Sequence, residues 1–247
     1  MTHESFSRRG FAKKLALSTG LFSASGAFAE ALRQTEDMTE GPFYPDKLPL
    51  DTDNDLLIIN NGITPAVGEI TYLSGRILTG SGEPVRNAFV EIWQVDGNAS
   101  YLHTKGQIPA KDGNFQGYGR FMTDGRGQYY FRTIKPVPYR LQGVFRTPHI
   151  HVAVSKNGHR LITTQVHVKG HPDNAKDGLL QRIKDPKALA TVMADFKPIQ
   201  GSKLGELAAN FDVVMGKTLR ELEDGKLGIS KSTWTGQLPS GLGSQQR

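Results

Sequence analysis

The sequence predicts an all-β fold, an antiparallel β-sandwich with long loops and one or two peripheral helices. Three observations carry this expectation. Gly (28) and Pro (13) together make up about 17% of the 247 residues, above the usual sum of roughly 12%, which favours many turns. Short runs rich in β-branched and aromatic residues recur between turn formers from Gly68 onward. A helical apolar period shows only over residues 186–196. Hydrophobic residues are 37% and charged residues 22%, a globular balance. No run of eighteen apolar residues occurs, so no membrane-spanning helix is expected. The chain has no cysteine. That excludes disulfides, Cys-ligated zinc, iron–sulfur clusters and thiol nucleophiles.

Taken in order, residues 7–14 read Ser-Arg-Arg-Gly-Phe-Ala-Lys-Lys, followed by a small, apolar run and Ala27-Phe28-Ala29. This is a charged segment, a modest hydrophobic segment and an Ala-x-Ala cleavage site. The Arg pair closely resembles the bacterial twin-arginine export signal. Residues 1–29 are therefore expected to be a signal peptide and the mature chain periplasmic or extracellular. Of the net charge of +6, +3 belongs to those 29 residues, and the remaining Lys and Arg are scattered. Nucleic acid is not expected as a partner.

Residues 30–67 are rich in turn formers and read as an arm wrapped on a core. A domain over 68–216 follows. Glu69–Leu78, Ala88–Val95 and Gly127–Ile134 are expected strands, with a turn at Gly80–Pro84. His149–Ser155 and Arg160–Val168 are expected to form a hairpin around Lys156-Asn157-Gly158. Asp185-Pro186 reads as an N-cap with Pro at the first helical position. Leu189, Val192, Met193 and Phe196 then predict a helix over 186–196. Asn210–Met215 is the final expected strand. Residues 217–247 form an extension whose Gly/Ser-rich tail from Lys231 is expected to be mobile.

The chemistry starts at His149-Ile150-His151. On a strand the two imidazoles share one face while Ile150 and Val152 take the other. Their Cα atoms then lie about 6–7 Å apart, within reach of one metal ion. Alone, the pair is weak evidence for a metal site and is more often a polar strand face. Its context is longer: Arg146-Thr-Pro-His-Ile-His, Thr133–Tyr139, Gly119-Arg120 with Thr123-Asp124, and Glu91–Asp96 with Tyr101.

With this ordered set the chain resembles the intradiol ring-cleavage dioxygenases, from about Gly68 to Gly216, with an echo at Gly41-Pro42-Phe43-Tyr44. The resemblance implies a non-haem Fe(3+) ion held by Tyr101, Tyr139, His149 and His151. A hard trivalent ion suits anionic oxygen donors with imidazole, and two phenolates plus hydroxide would balance its charge. The resemblance further implies that a catechol displaces Tyr139 and binds as a dianion. O2 then attacks a ring carbon, and a cis,cis-muconate-type diacid results. Arg146 matches a family arginine that stabilises developing charge, and Gln165 a glutamine near the iron-bound hydroxide. The 38 residues between the cleavage site and the domain are too few for the long helical segment of the catechol-cleaving branch. The layout resembles a protocatechuate 3,4-dioxygenase subunit, where two subunits share the pocket, so a homo- or hetero-oligomer is allowed. Tyr44 and Asp46 are candidate pocket-rim residues.

Other residues receive plainer readings. Arg120 and Asp124 are expected to fix turn geometry, His167 to pack, Trp93 to lie in the core, and His103, His159 and His171 to lie at the surface. A rival reading also stands. Gly75-Arg76 through Ala88 recurs in transthyretin-like sandwiches, which shows fold and not function. A non-catalytic or zinc-binding module is the alternative, and colour separates it from a ferric tyrosinate protein.

Overall fold

The computed structural model describes residues 32–107, 110–141, 143–221 and 227–231. The expected signal peptide and the tail beyond Lys231 lie outside these residues. The strands in chain order are β1 (Ile70–Thr79), β2 (Phe89–Trp93), β3 (Tyr118–Met122), β4 (Gln128–Ile134), β5 (Tyr139–Leu141) and β6 (Val144–Arg146). There follow β7 (His149–Lys156), β8 (His159–Val168), a short helix α1 (Pro186–Ala190), β9 (Met193–Ala194), β10 (Phe196–Pro198), β11 (Leu207–Asn210) and β12 (Val213–Met215). A hairpin of β13 (Lys217–Glu221) and β14 (Leu227–Lys231) comes last.

Two five-stranded sheets result. In one, β1 is central, antiparallel to β4 on one side and parallel to β11 and then β12 on the other; β10 pairs with β11. The other runs β3-β2-β7-β8-β9. The all-β sandwich expected from the sequence is what forms, but its sheets are mixed. Three pairings are parallel: β1 with β11, β1 with β12, and β8 with β9. Parallel neighbours need long connections: residues 169–192 link β8 to β9, and the strands of the second sheet lie in the chain between β1 and its partners β11 and β12.

Two expected elements differ. The strand expected over 210–215 is split by Phe211-Asp212. Asp212 turns its carboxylate to the backbone N–H of Arg76 (2.8 Å) and to its guanidinium, which interrupts the ladder. The helix expected over 186–196 stops at Ala190. Its start is as expected, with Asp185 accepting from Lys187 N–H at 2.9 Å and Pro186 at the first position. Beyond it the open edge of β8 captures the chain. His167 N–H donates to Val192 C=O and Lys169 N–H to Ala194 C=O, both at 2.9 Å. Val192 and Met193 have the apolar character of a helix face, yet the β-branched Thr191-Val192 step also suits a strand edge.

The β7–β8 hairpin turns where expected. Asn157 (φ 48°) and Gly158 (φ 77°) both lie in the left-handed region, as a two-residue hairpin turn demands. Side chains alternate along these strands. Ile150, Val152, Val154, Ile162 and Val166 join Leu73, Ile77 and Phe131 in the core. Each such buried aliphatic contributes about 1.5–3 kcal/mol. On its other face the second sheet carries a smaller cluster of Phe43, Trp93, Val95, Tyr101, Tyr118, Tyr139 and Ala153. This second face holds the candidate site.

Candidate metal centre

His149 and His151 open β7, and β7 is flanked by β2 and β8. Opposite them on β8 lie His167 and Gln165, and opposite His151 on β2 lies Trp93. Tyr139 opens β5 and pairs in register with Arg146 on β6. Tyr101 ends a tight loop after β2. The carboxylate of Asp96 organises that loop, accepting from the N–H groups of Asn98 (2.9 Å), Ser100 (2.9 Å) and Asp112 (2.7 Å). These bonds hold Ala99 at φ 64°. Tyr101 N–H then donates to Gly106 C=O at 2.9 Å. A side chain at Gly106 would strike Tyr101 Cβ at 2.7 Å, so only glycine lets this return segment pack against the tyrosine.

These elements bring four donor atoms together. Tyr101 Oη lies 3.2 Å from Tyr139 Oη, 3.1 Å from His151 Nε2 and 3.4 Å from His149 Nε2. The two Nε2 atoms are 3.2 Å apart. Donors about 2.0–2.1 Å from one shared ion stand about 2.8–3.4 Å apart where they are neighbours around it, and these four distances fall in that range. The residues therefore fit a metal ion. His149 Nδ1–H donates to Thr147 C=O at 2.7 Å, which fixes the tautomer and leaves the Nε2 lone pair facing the other donors. His151 stacks on Trp93, with ring centroids 4.7 Å apart and planes 8° apart.

The electrostatics match such a role. Burial pushes the Tyr101 phenol well above its usual range, and the neighbouring Tyr139 adds to this. Burial also raises Tyr139, opposed by its hydrogen bond with Tyr101 and the charge of Arg146. Burial holds His149 and His151 well below the usual imidazole range, so both are neutral donors at neutral pH. Two phenols that resist ionisation become anions only beside a compensating cation. Among the described residues no three His, Cys, Asp or Glu side chains are arranged to hold a metal ion by themselves. An ion seated here needs the phenol oxygens, a donor set that favours a hard, highly charged metal.

Arg146 is buried beside this group. Its Nη2 donates to Gln165 Oε1 at 2.6 Å and its Nε to Asp177 Oδ2 at 2.8 Å. Gln165 Nε2 donates to Thr39 C=O at 3.0 Å, which ties the arm across the site. Further along the arm, Phe43 stacks on Tyr101 with centroids 4.9 Å apart. Tyr44 stands edge-on to Trp93, and its hydroxyl donates to Glu91 at 2.8 Å. Asp46 is exposed and binds the N–H and hydroxyl of Thr104, in the segment after Tyr101. Arg120 covers Phe89 on the outer sheet face, and Asp124 accepts from Arg126 and Gln128 N–H in its turn. His103 and His171 each cap a short 3-10 turn, and His159 is exposed. His167 is fully buried, its ring 5.4 Å from that of His149.

Residues 39–215 match the family model described as Dioxygenase. The chain is 40% identical over 174 residues to the protocatechuate 3,4-dioxygenase beta chain of Burkholderia cepacia, covering 68% of this chain and 72% of that one. The chain belongs to the intradiol dioxygenase family. It is 31% identical over 166 residues to catechol 1,2-dioxygenase 2 of Acinetobacter lwoffii, covering 59% of this chain and 58% of that protein. In fold it is similar to 3-chlorocatechol 1,2-dioxygenase from Rhodococcus opacus 1CP, with a TM-score of 0.60 at 19% identity over 77% of this chain and 76% of that one. It is thus an intradiol ring-cleavage dioxygenase, and the non-catalytic sandwich reading falls away. The family match starts at residue 39, so the arm segment that crosses the site belongs to the intradiol unit, beyond the isolated echo at Gly41–Tyr44.

Three polar residues of this intradiol site received no role from the sequence, although Glu91 and Asp96 delimit one of its motifs. Asp96-Gly97-Asn98 carried a usable signal, since Asp followed by turn formers marks an Asx turn. Glu91, which accepts from Tyr118 (2.6 Å) and Tyr44 and pairs with Arg160, reads locally as an ordinary strand polar residue. Asp177 lies in a loop with no local signal at all.

Proposed function

We propose that this dioxygenase is an Fe(3+) enzyme whose ion is held by Tyr101, Tyr139, His149 and His151. It inserts both atoms of O2 into a catechol-type ring, cleaves between the hydroxylated carbons and releases a cis,cis-muconate-type diacid. The observation that carries this reading is that Tyr101 Oη lies within 3.4 Å of Tyr139 Oη and of both imidazole Nε2 atoms, which are themselves 3.2 Å apart. The ion would supply Lewis acidity toward a bound catecholate and an electron-accepting partner for the ring.

The chain's own residues divide the remaining work. Tyr101 is the fixed donor, clamped between its Asp96-built loop and the Phe43 ring. Tyr139 sits on a short two-stranded hairpin outside both main sheets, the arrangement best suited to an exchangeable donor. Its Oη is the natural acceptor for a substrate hydroxyl proton, and Arg146 beside it holds the charge balance during that exchange. Arg146 is buried and doubly tethered, so its cation is already in place as charge develops on the ring. Gln165 orients Arg146 and fastens the arm that shields the site.

Likeness to a beta chain supports assembly as a homo- or hetero-oligomer, which light scattering of the purified protein tests. The Arg8-Arg9 segment with Ala27-Phe28-Ala29 supports export by the twin-arginine route to the periplasm or beyond, which fractionation with and without an Arg8→Lys/Arg9→Lys change tests. For the activity, oxygen uptake is measured with catechol, protocatechuate and hydroxyquinol. Uptake with formation of a diacid is expected with at least one of them. A colourless zinc protein with no uptake would overturn the reading.

A further inference from the structure

Asp177 belongs to no strand or helix. It lies between two 3-10 turns, Pro172–Lys176 and Leu180–Arg182, in the excursion that follows β8. Its side chain is fully buried, at 0% exposure. A buried carboxylate is costly unless fully partnered, and this one has four donors. Oδ1 accepts from the N–H groups of Leu179 (2.9 Å) and Leu180 (3.2 Å). Oδ2 accepts from Arg146 Nε (2.8 Å) and from Thr147 N–H (3.0 Å).

The two halves of the carboxylate do different things. The Oδ1 bonds close a turn, a task that Asn also performs. The Oδ2 bonds leave the loop and grip the strand segment that leads into the metal pair. Thr147 C=O is the acceptor for His149 Nδ1 at 2.7 Å. One oxygen therefore fixes both the guanidinium beside Tyr139 and the backbone N–H of Thr147, the residue whose carbonyl aims His149. Thr147 Oγ1 adds a parallel tie, donating to Asn174 Oδ1 at 2.8 Å.

We infer that Asp177 is a positioning residue of the ring-cleaving site, acting through Arg146 and through the Thr147–His149 link. The inference rests on the roles given to Arg146 and His149 under the proposed function. A neutral amide at 177 would keep the turn-closing acceptor but could not serve as a charged anchor for a guanidinium. Arg146 would then lose its set orientation while its charge remained. Partners of this kind typically affect metal affinity or activity by about 10–100-fold.

The test uses the iron-loaded full chain as wild type, Asp177→Asn, Arg146→Ala and the double variant. Asp177→Asn should keep its iron-dependent colour and lose turnover by at least about tenfold. The double variant should be slower than Arg146→Ala by less than the loss Asp177→Asn causes alone, because the part routed through Arg146 is already gone. Losses that multiply, or wild-type turnover in Asp177→Asn, would overturn the inference. If Asp177→Asn does not fold, Arg146→Lys keeps the charge and removes the Nε donor. It should lose turnover to a similar degree, and full turnover would overturn the inference. A readout independent of iron is the Arg146 Nε–H resonance in metal-free protein. It should be protected from solvent exchange in wild type and lose that protection in Asp177→Asn; equal exchange in both would sink the tether. A wild type without iron or turnover would instead defeat the functional reading, and the exchange measurement would still decide the tether.

Discussion

Replacing His167 with Phe should flatten the acid dependence of stability in the metal-free protein. His167 is fully buried, and neither ring nitrogen has a hydrogen-bond partner among the described residues. Burial lowers its pKa to about 3, with Asp177 pulling it up and Arg146 pushing it down. The folded value thus lies below the unfolded value near 6.5. Between the two, the unfolded chain binds a proton that the folded chain refuses, so stability falls as pH drops below about 6.5. At about pH 5 the unfolded chain gains about 2 kcal/mol from protonating this one ring, against about 0.2 kcal/mol at pH 7. Any folded pKa below about 4 gives the same figure. Phe removes this contribution, while burial still holds His149 and His151 well below the usual imidazole range, so their contributions nearly cancel. At pH 7 the sign of the change depends on two opposing effects. Loss of the unpaired nitrogens stabilises by about 1–3 kcal/mol, and the slightly larger ring costs about 1–3 kcal/mol. The diagnostic is therefore the pH slope. Urea titrations at about pH 7 and pH 5 should show the wild type losing about 2 kcal/mol more than His167→Phe. Parallel losses would mean that His167 is protonated in the fold, and the account of its burial would be wrong.

Three further outcomes are expected. Arg146→Ala should retain colour and iron while turnover falls at least about a hundredfold, read by oxygen uptake; unchanged turnover would remove Arg146 from the chemistry. Glu91→Ala leaves the Tyr118 hydroxyl, which donates to Glu91 at 2.6 Å, buried without that partner. It should destabilise the fold by about 1–3 kcal/mol in urea and loosen the arm at Tyr44, read as faster proteolysis near residue 44. Asp96→Ala removes three backbone tethers from the loop that ends at Tyr101; iron affinity should fall at least about tenfold in competition with a chelator.

Much of the fold was legible because it is local. Alternation in His149-Ile150-His151-Val152 assigns faces with no knowledge of the partner strands, and Asn157-Gly158 specifies a hairpin turn by itself. What the sequence concealed is long-range. Nothing in Leu207–Asn210 or Val213–Met215 says that they enter parallel to β1. The helical period at Leu189, Val192, Met193 and Phe196 was genuine but was overridden after Ala190, because β8 had an unfilled edge. The site divides in the same way. Spacing puts the two histidines on one face, but their role, like the choice of Tyr101 and Tyr139, came through the family resemblance, since isolated loop tyrosines carry no periodic signal. Asp177 meets Arg146 across 31 residues, a pairing set by how the excursion after β8 folds back.

The central claim is that the two phenols and two imidazoles bind a ferric ion. Metal analysis combined with visible absorption of the wild type, Tyr101→Phe and His149→Ala tests it most directly. The account predicts about one iron per wild-type chain with a reddish phenolate-to-iron absorption, and iron and colour lost together in both variants. Iron-free wild type, or colour that survives unchanged in Tyr101→Phe, would contradict it.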